Sequence, residues 1–291
     1  MPIRIGTCSW KYPSWKGLVY SAGVTNYLAE YARKYNTVEI DQWFWSLFPN
    51  TEPKLPEPLT VEEYRNSVPE DFRFTVKAPN SLTLTHPYSR RAEGLPPPNP
   101  HFLSPKLACE FLRLIAPLKQ TLGPVIFQFE YLNRQKMPSQ QVFEERLAEF
   151  RQGLPDGYAF AVEIRNPAYL NKRFLEFLLE QDWQLVLLQG YWMPSAVEVW
   201  GKFKSQIRRF RMVIFRLHGT GREEIEEKTG NVWNRIVISR EKELADIAAI
   251  IKDLTGSRNE IYVNVNNHYE GSAPFTIERF QRFLNAGSRK E

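Results

Sequence analysis

The chain has 291 residues, 43% hydrophobic and 24% charged, enough for one large α/β domain or two ordinary ones. No uninterrupted apolar run reaches the roughly 18 residues of a helical membrane span, and two cysteines, Cys8 and Cys109, are too few for a disulfide framework. A net charge of +5 admits anionic ligands without requiring them. The opening MPIRIGTCSW lacks the charged-then-apolar pattern of a signal peptide, so a reducing, cytoplasmic setting is expected.

In chain order, β-rich runs predict strands near 3–8, 37–41, 72–77, 124–129, 159–164, 184–188, 212–218 and 260–266. Three of the segments between them carry clear helix marks. Ser104 followed by Pro105 reads as an N-cap with proline in the first turn, and Leu107, Phe111, Leu114, Ile115 and Leu118 follow at helical spacing. Ser139 opens a second helix with Phe143, Leu147 and Phe150. Ser239 opens a third, with Leu244, Ile247, Ala248, Ile251 and Leu254 as its apolar stripe. Eight strands alternating with helices over about 250 residues are the signature of a TIM-like (β/α)8 barrel. An open doubly wound sheet is the runner-up, but no glycine-rich phosphate loop follows an early strand and no nucleotide-cofactor motif is present. The chain therefore reads as a single barrel domain over 1–291. Long loops at 42–60, 79–103 and 219–238 each begin after a strand, on the face where barrels build their sites. The second, with HPYSRRAEGLPPPNP, is too proline-rich for a helix and reads as an insertion.

The stretch VEIDQWFW at 38–45 raises the central question, because a strand-like run carries Glu39 and Asp41 on one face. The same alternation recurs along the chain. In the third, fourth, fifth, seventh and eighth strands one face is apolar, and the other turns polar toward the strand's end. The pattern predicts a ring of Glu39, Asp41, Lys77, Gln128, Glu130, Glu163, Arg165, Arg216, His218, Asn266 and His268 about one cavity. Isolated carboxylates do not survive burial, so Lys77, Arg165 and Arg216 are expected to neutralise them. The bland alternative is an ion-pair layer that only plugs the barrel. Barrel interiors are ordinarily filled with branched apolar side chains, which favours a site. The loop SWKYPSWKGLVY adds Trp10, Tyr12, Trp15 and Tyr20 beside Trp43, Phe44 and Trp45. These read equally as a platform for stacking sugars or bases and as a small core over the rim.

Taken together, Gly6-Thr7, Trp10, Tyr12-Pro13, Trp15-Lys16-Gly17 and Asn36-Thr37-Val38-Glu39-Ile40 resemble the YecE-like family, the domain of unknown function seventy-two. The resemblance continues through Phe72-Arg73-Phe74, Val76-Lys77, Gly123-Pro124, Phe127-Gln128, Glu163 with Arg165 and Pro167, Arg216-Leu217-His218-Gly219, and Asn266-Asn267 with Gly271 and Ala273. It implies a TIM-barrel-like fold and brings no established activity. This chain departs from the family pattern at Asp41-Gln42-Trp43-Phe44-Trp45, at Phe129-Glu130 and at His268.

The chemistry weighed first is an enzyme hydrolysing or isomerising a carbohydrate or a phosphorylated small molecule. Glu39, Lys77, Glu163 and His218 are its candidate catalytic groups. Trp10, Trp15, Asp41, Gln128, Arg165, Arg216, Asn266, Asn267 and His268 are candidates for holding an anionic or sugar-like substrate. The separation of Glu39 from Glu163 would distinguish retention from inversion at a glycoside. Glu39, Asp41, Glu163, His218 and His268 supply O and N donors that suit Mg²⁺, Mn²⁺ or Zn²⁺, although no short metal-binding spacing is present. Cys8, at a strand end, is read as a small buried residue rather than a nucleophile, since reactivity needs an activating neighbour. The alternatives are nucleic-acid or nucleotide binding, with or without phosphodiester cleavage, and a barrel that binds a ligand without turning it over. The basic residues Lys202, Lys204, Arg208, Arg209 and Arg211, with Arg90 and Arg91, motivate the nucleic-acid reading. Those from 202 to 211 precede a strand, away from the expected cavity, so a solvated helix face is the preferred account.

Overall fold

A computed structural model describes residues 3–88, 94, 96–256 and 259–286. Eight parallel strands close in chain order into a barrel. They are β1 (Ile3–Cys8), β2 (Thr37–Ile40), β3 (Arg73–Lys77), β4 (Leu122–Gln128), β5 (Phe160–Glu163), β6 (Trp183–Gly190), β7 (Met212–Gly219) and β8 (Glu260–Val265). The helices are α1 (Tyr27–Ala32), α2 (Pro58–Asn66), α3 (Pro105–Leu114), α4 (Gln140–Gln152), α5 (Lys172–Glu180), α6 (Ala196–Ile207), α7 (Arg222–Thr229), α8 (Glu241–Thr255) and α9 (Ala273–Asn285). No helix among the described residues is long and apolar enough to cross a membrane.

Internal contacts divide the chain into two compact units. The first comprises 1–39, 67–73 and 185–291 and holds β1, nearly all of β2, most of β6, and β7 and β8. In it Cys8 lies beside Glu39, Leu188 beside Arg216, and Arg216 beside Asn264. Neighbours in a parallel register point to the same side of the sheet, so these side chains share a face. The stripe of α8, Leu244, Ile247, Ala248, Ile251 and Leu254, is buried as its spacing requires, and Ile277 and Phe280 of α9 are buried with it. The second unit comprises 40–66 and 74–184. Its core is aromatic: Phe127 meets Phe150 at 5.3 Å, Trp183 at 5.6 Å and Phe160 at 6.0 Å, all edge-on, the arrangement favoured by ring quadrupoles.

Ser104 and Ser139 cap α3 and α4, accepting from Leu107 N and Val142 N. Ser239 does not cap α8. The helix starts at Glu241, the buried Glu270 carboxylate accepts the Arg240 N–H, and the Ser239 hydroxyl accepts from Arg279 instead. The expected loop at 219–238 contains a helix, α7. Its sequence REEIEEKT lacks apolar period and is supported by the i,i+4 pairs Arg222–Glu226 and Lys228–Glu224. In the proline-rich segment, Asn99 ties the two arms together through Ser81 O and Leu84 O, while Arg90 and Arg91 lie outside the described residues.

Gly6 is fixed by the closeness of β1 to β2. A Cβ there would sit 1.8 Å from the Thr37 carbonyl oxygen and 2.9 Å from the Tyr31 hydroxyl. That hydroxyl takes the Thr7 N–H and donates to Thr37 O, so it cannot retreat without losing buried bonds. Gly6→Ala should cost at least about 3 kcal/mol, read as a fall in chemical-denaturation midpoint, and an unchanged midpoint would contradict this packing.

Candidate functional site

In the first unit, Glu39 and Arg216 form a two-pronged ion pair inside the barrel. Arg216 Nε donates to Glu39 Oε2 at 2.7 Å and Arg216 Nη2 to Oε1 at 2.7 Å, while Asn264 Nδ2 donates to Oε2 at 3.1 Å. The two side chains are 0% and 1% exposed. A fork-on-carboxylate bond of this kind is among the strongest in proteins, and it needs to be, because each charge alone would be very costly there. Glu39 is therefore held by three bonds in the interior.

Toward the strand ends the chemistry opens out. His218 follows Arg216 by two residues on β7, so it projects to the same face. Its Nε2 lies 3.8 Å from the Cys8 thiol, and its Nδ1 lies 3.5 Å from the Tyr191 hydroxyl. The Tyr191 ring leans on the imidazole with centroids 5.7 Å apart. Cys8 is only 2% exposed, His218 is half-buried, and Tyr191 and Trp192 are exposed, Trp192 to 59%. The backbone at the end of β6 is unusual. Gly190 has φ +145°, and a Cβ there would lie 2.3 Å from the Gly219 carbonyl oxygen, so the missing side chain at Gly190 lets β6 come this close to β7. Tyr191 then sits at φ +55°, held by its N–H donating to Gly219 O at 2.9 Å.

At the end of β8, Asn266 and His268 are engaged with each other and with α7. Asn266 Oδ1 accepts the His268 N–H at 2.9 Å and lies 2.6 Å from His268 Nδ1. His268 Nε2 is 2.9 Å from Glu226 Oε1, which also accepts from Arg222 Nε at 2.7 Å. Arg222 first and His268 second hold the Glu226 carboxyl below its usual range. Burial pulls the His268 imidazole below its ordinary 6.5, against the upward pull of Glu226. Asn267 is buried and caps α9 by accepting from Ala273 N at 2.9 Å.

The aromatic residues of the first loop form a small core. Trp15 is 0% exposed, donates its indole N–H to Trp233 O at 3.0 Å, and packs against Tyr12 and Tyr20. Trp10 is buried as well. Neither offers a face for stacking a ligand. Among the described residues of this unit the exposed rings are Tyr191 and Trp192, which the sequence reading passed over because no charge follows the sixth strand. The available signal was Gly190-Tyr191-Trp192, a glycine at a strand end followed by two aromatics.

The second unit holds its own polar cluster. Arg165 donates from Nε to Glu163 Oε1 at 2.7 Å, with Nη2 of the same guanidinium also 2.7 Å from that oxygen; Glu163 is fully buried. Gln128 lies beside Glu163 in register. Lys77 Nζ sits 3.5 Å from the centre of the Phe44 ring, a close cation–π contact. Asp41 falls just past β2, where its backbone carbonyl accepts from Phe44 N. Trp43 is buried on Tyr64. Glu130 fixes the following loop by accepting from Thr85 N and Oγ1 at 2.9 and 2.8 Å, and it pairs with Lys136. No group of three or more His, Cys, Asp or Glu is gathered for a metal ion among the described residues. Lys204 and Arg208 of the basic segment share Asp253 and flank the Trp200 ring.

The family model described as a protein of unknown function, DUF72, matches residues 4–291. The chain belongs to the DUF72 family. The UPF0759 protein YecE of Escherichia coli K12 is 29% identical over 171 residues, 58% of this chain and 51% of that protein. The same values hold for YecE of Escherichia coli O157:H7, so the chain spans about half the length of the curated relatives it matches. Solved DUF72 proteins share the fold. One from Thermotoga maritima MSB8 superposes with a TM-score of 0.68 at 23% identity, over 98% of this chain and 100% of that one. One from Enterococcus faecalis V583 does so with a TM-score of 0.68 at 21% identity, over 98% and 96%.

Two outcomes follow for this DUF72 chain. Arg216→Met leaves the Glu39 carboxylate in the interior without its guanidinium and should cost about 3–5 kcal/mol in urea unfolding, with much of that recovered in the Glu39→Gln, Arg216→Met double variant. His268 should titrate below 6.5 in histidine NMR and lower still in Glu226→Gln, where burial is no longer opposed. Since its folded value lies below its unfolded one, the stability linked to this group is full above pH 6.5 and falls as the pH drops through that value. An upward shift in Glu226→Gln would overturn this assignment.

Proposed function

We propose that this protein is a small-molecule enzyme that moves protons at the C-terminal strand ends of its barrel, hydrolysing or isomerising a carbohydrate or a phosphorylated small molecule. The observation that carries the reading is His218, half-buried, with one nitrogen toward the Cys8 thiol and the other toward the Tyr191 hydroxyl. Imidazole is the side chain whose ordinary pKa lets it give and take protons near neutrality. Contacts at both ring nitrogens fix its orientation, which general acid–base catalysis requires. The adjoining exposed rings of Tyr191 and Trp192, 5.9 Å apart and edge-to-face, offer an apolar surface with polar tips to a sugar ring. Arg216, two residues before His218 on the same strand, is held in its buried pair with Glu39.

Within this reading Glu39 supports rather than reacts, and His218 is the residue that exchanges protons with substrate. The test is a panel of nitrophenyl glycosides, phosphate monoesters and sugar phosphates, assayed with wild type and His218→Gln. The variant should lose about 10²–10⁴-fold in kcat on whatever substrate wild type turns over, with an unchanged melting temperature. Trp192→Ala should raise KM about tenfold with little change in kcat. Full turnover in His218→Gln would remove the reading.

A further inference from the structure

We infer that Cys8 is a covalent nucleophile activated by His218, and that its substrate is a carboxylic ester or lactone of a polar, ring-bearing compound. The inference rests on the His218 reading above. Cys8 ends β1, with its Sγ 3.8 Å from His218 Nε2. For Nε2 to accept the thiol proton, Nδ1 must carry the other one and donate it to the Tyr191 hydroxyl oxygen, which lies 3.5 Å away. Nucleophile, base and orienting group thus stand in the order that activated thiols use. Tyr191 is a positioning residue: it is fixed by its N–H bond to Gly219 O and by the contact of Gly190 with Gly219.

The chemistry follows from that order. The thiol proton passes to Nε2, and the thiolate adds to the carbonyl carbon, forming the C–S bond while the π pair moves to oxygen. Collapse restores C=O and breaks the C–O bond, and the leaving alkoxide takes the proton from Nε2. Water then adds to the thioester, giving its proton to Nε2, and the thiolate leaves and recovers that proton. No electrons are gained or lost. A phosphoryl group is the poorer substrate for this thiol, because its negative charge calls for a cation at the point of attack. The guanidinium two residues from His218, Arg216, is already bonded twice to Glu39. The exposed rings of Tyr191 and Trp192 supply the surface for the ring of the substrate.

Cys109 is an internal control. It is exposed, whereas Cys8 is almost fully covered, so ordinary thiols at these positions would react in the order of their exposure, Cys109 first. The experiment is alkylation of the full-length protein by iodoacetamide at pH 6, with each cysteine followed by peptide mass spectrometry, and acid quenching after exposure to p-nitrophenyl acetate. Activation by His218 should make Cys8 react at least about tenfold faster than Cys109, with a single acetyl group recovered on Cys8. Both signals should fall about tenfold or more in His218→Gln at an unchanged melting temperature. Slower alkylation of Cys8 than of Cys109 in wild type, a rate indifferent to His218, or absence of the acetyl adduct overturns the proposal. Cys8→Ala separates the two readings. Retained His218-dependent turnover there ends the covalent step and leaves acid–base catalysis standing, while turnover that survives in His218→Gln ends both.

Discussion

Burying a carboxylate inside a barrel constrains everything around it. Glu39 is wholly enclosed, and it is tolerable there only because Arg216 and Asn264 reach it with three hydrogen bonds. Those bonds demand that β2, β7 and β8 keep one register, since a slip by one residue would turn each of these side chains to the opposite face. The register in turn settles what stands next to the pair. Cys8 is beside Glu39 on β1, and His218 lies two residues beyond Arg216 on β7. The ion pair thus sets the alignment from which the thiol and the imidazole inherit their meeting.

Much of this could be read from alternation alone. A period of two gives the face of a side chain, and it put Glu39, Arg216 and His218 on the face opposite their apolar neighbours. It does not give depth. Trp10 and Trp15 sit on a loop that the sequence reading treats equally as platform and small core, and Trp15 is buried against Tyr12 and Tyr20 with its indole N–H donated to Trp233 O, more than two hundred residues away. Partner choice differs in the same way. Glu163 and Arg165 are two residues apart on one strand end, so their pairing is nearly local. Glu39 and Arg216 are 177 positions apart, and no spacing in the chain announces them.

Elements were lost where local signals competed with distant ones. α7 is polar on nearly every side, so a search for apolar period finds nothing, yet its i,i+4 pairs and the buried Ile225 are enough to hold it. Ser239 looks like a helix cap and is displaced from that role by Glu270, a buried carboxylate from the far side of β8 in sequence. The Tyr191–Trp192 pair was missed for a related reason. Its signal lies in backbone conformation: Gly190 takes φ +145° close against Gly219, and Tyr191 follows it at positive φ. Side-chain patterns carry little of that.

The arrangement separates two demands that are hard to meet with one set of groups. Charges that fix geometry are best removed from water and paired, as Glu39 and Arg216 are. In the proposed reading the group that exchanges protons, His218, must instead stay within reach, and it is only half-buried. Strand β7 supplies one residue of each kind, two positions apart on one face. Two residues along the strand toward its end therefore lead from an enclosed ion pair to a half-buried imidazole. Rigidity below and accessibility above are the conditions under which a histidine keeps a defined direction without losing its capacity to react. In the proposed reading the exposed aromatic pair beside it is the surface on which a polar ring rests while the imidazole acts.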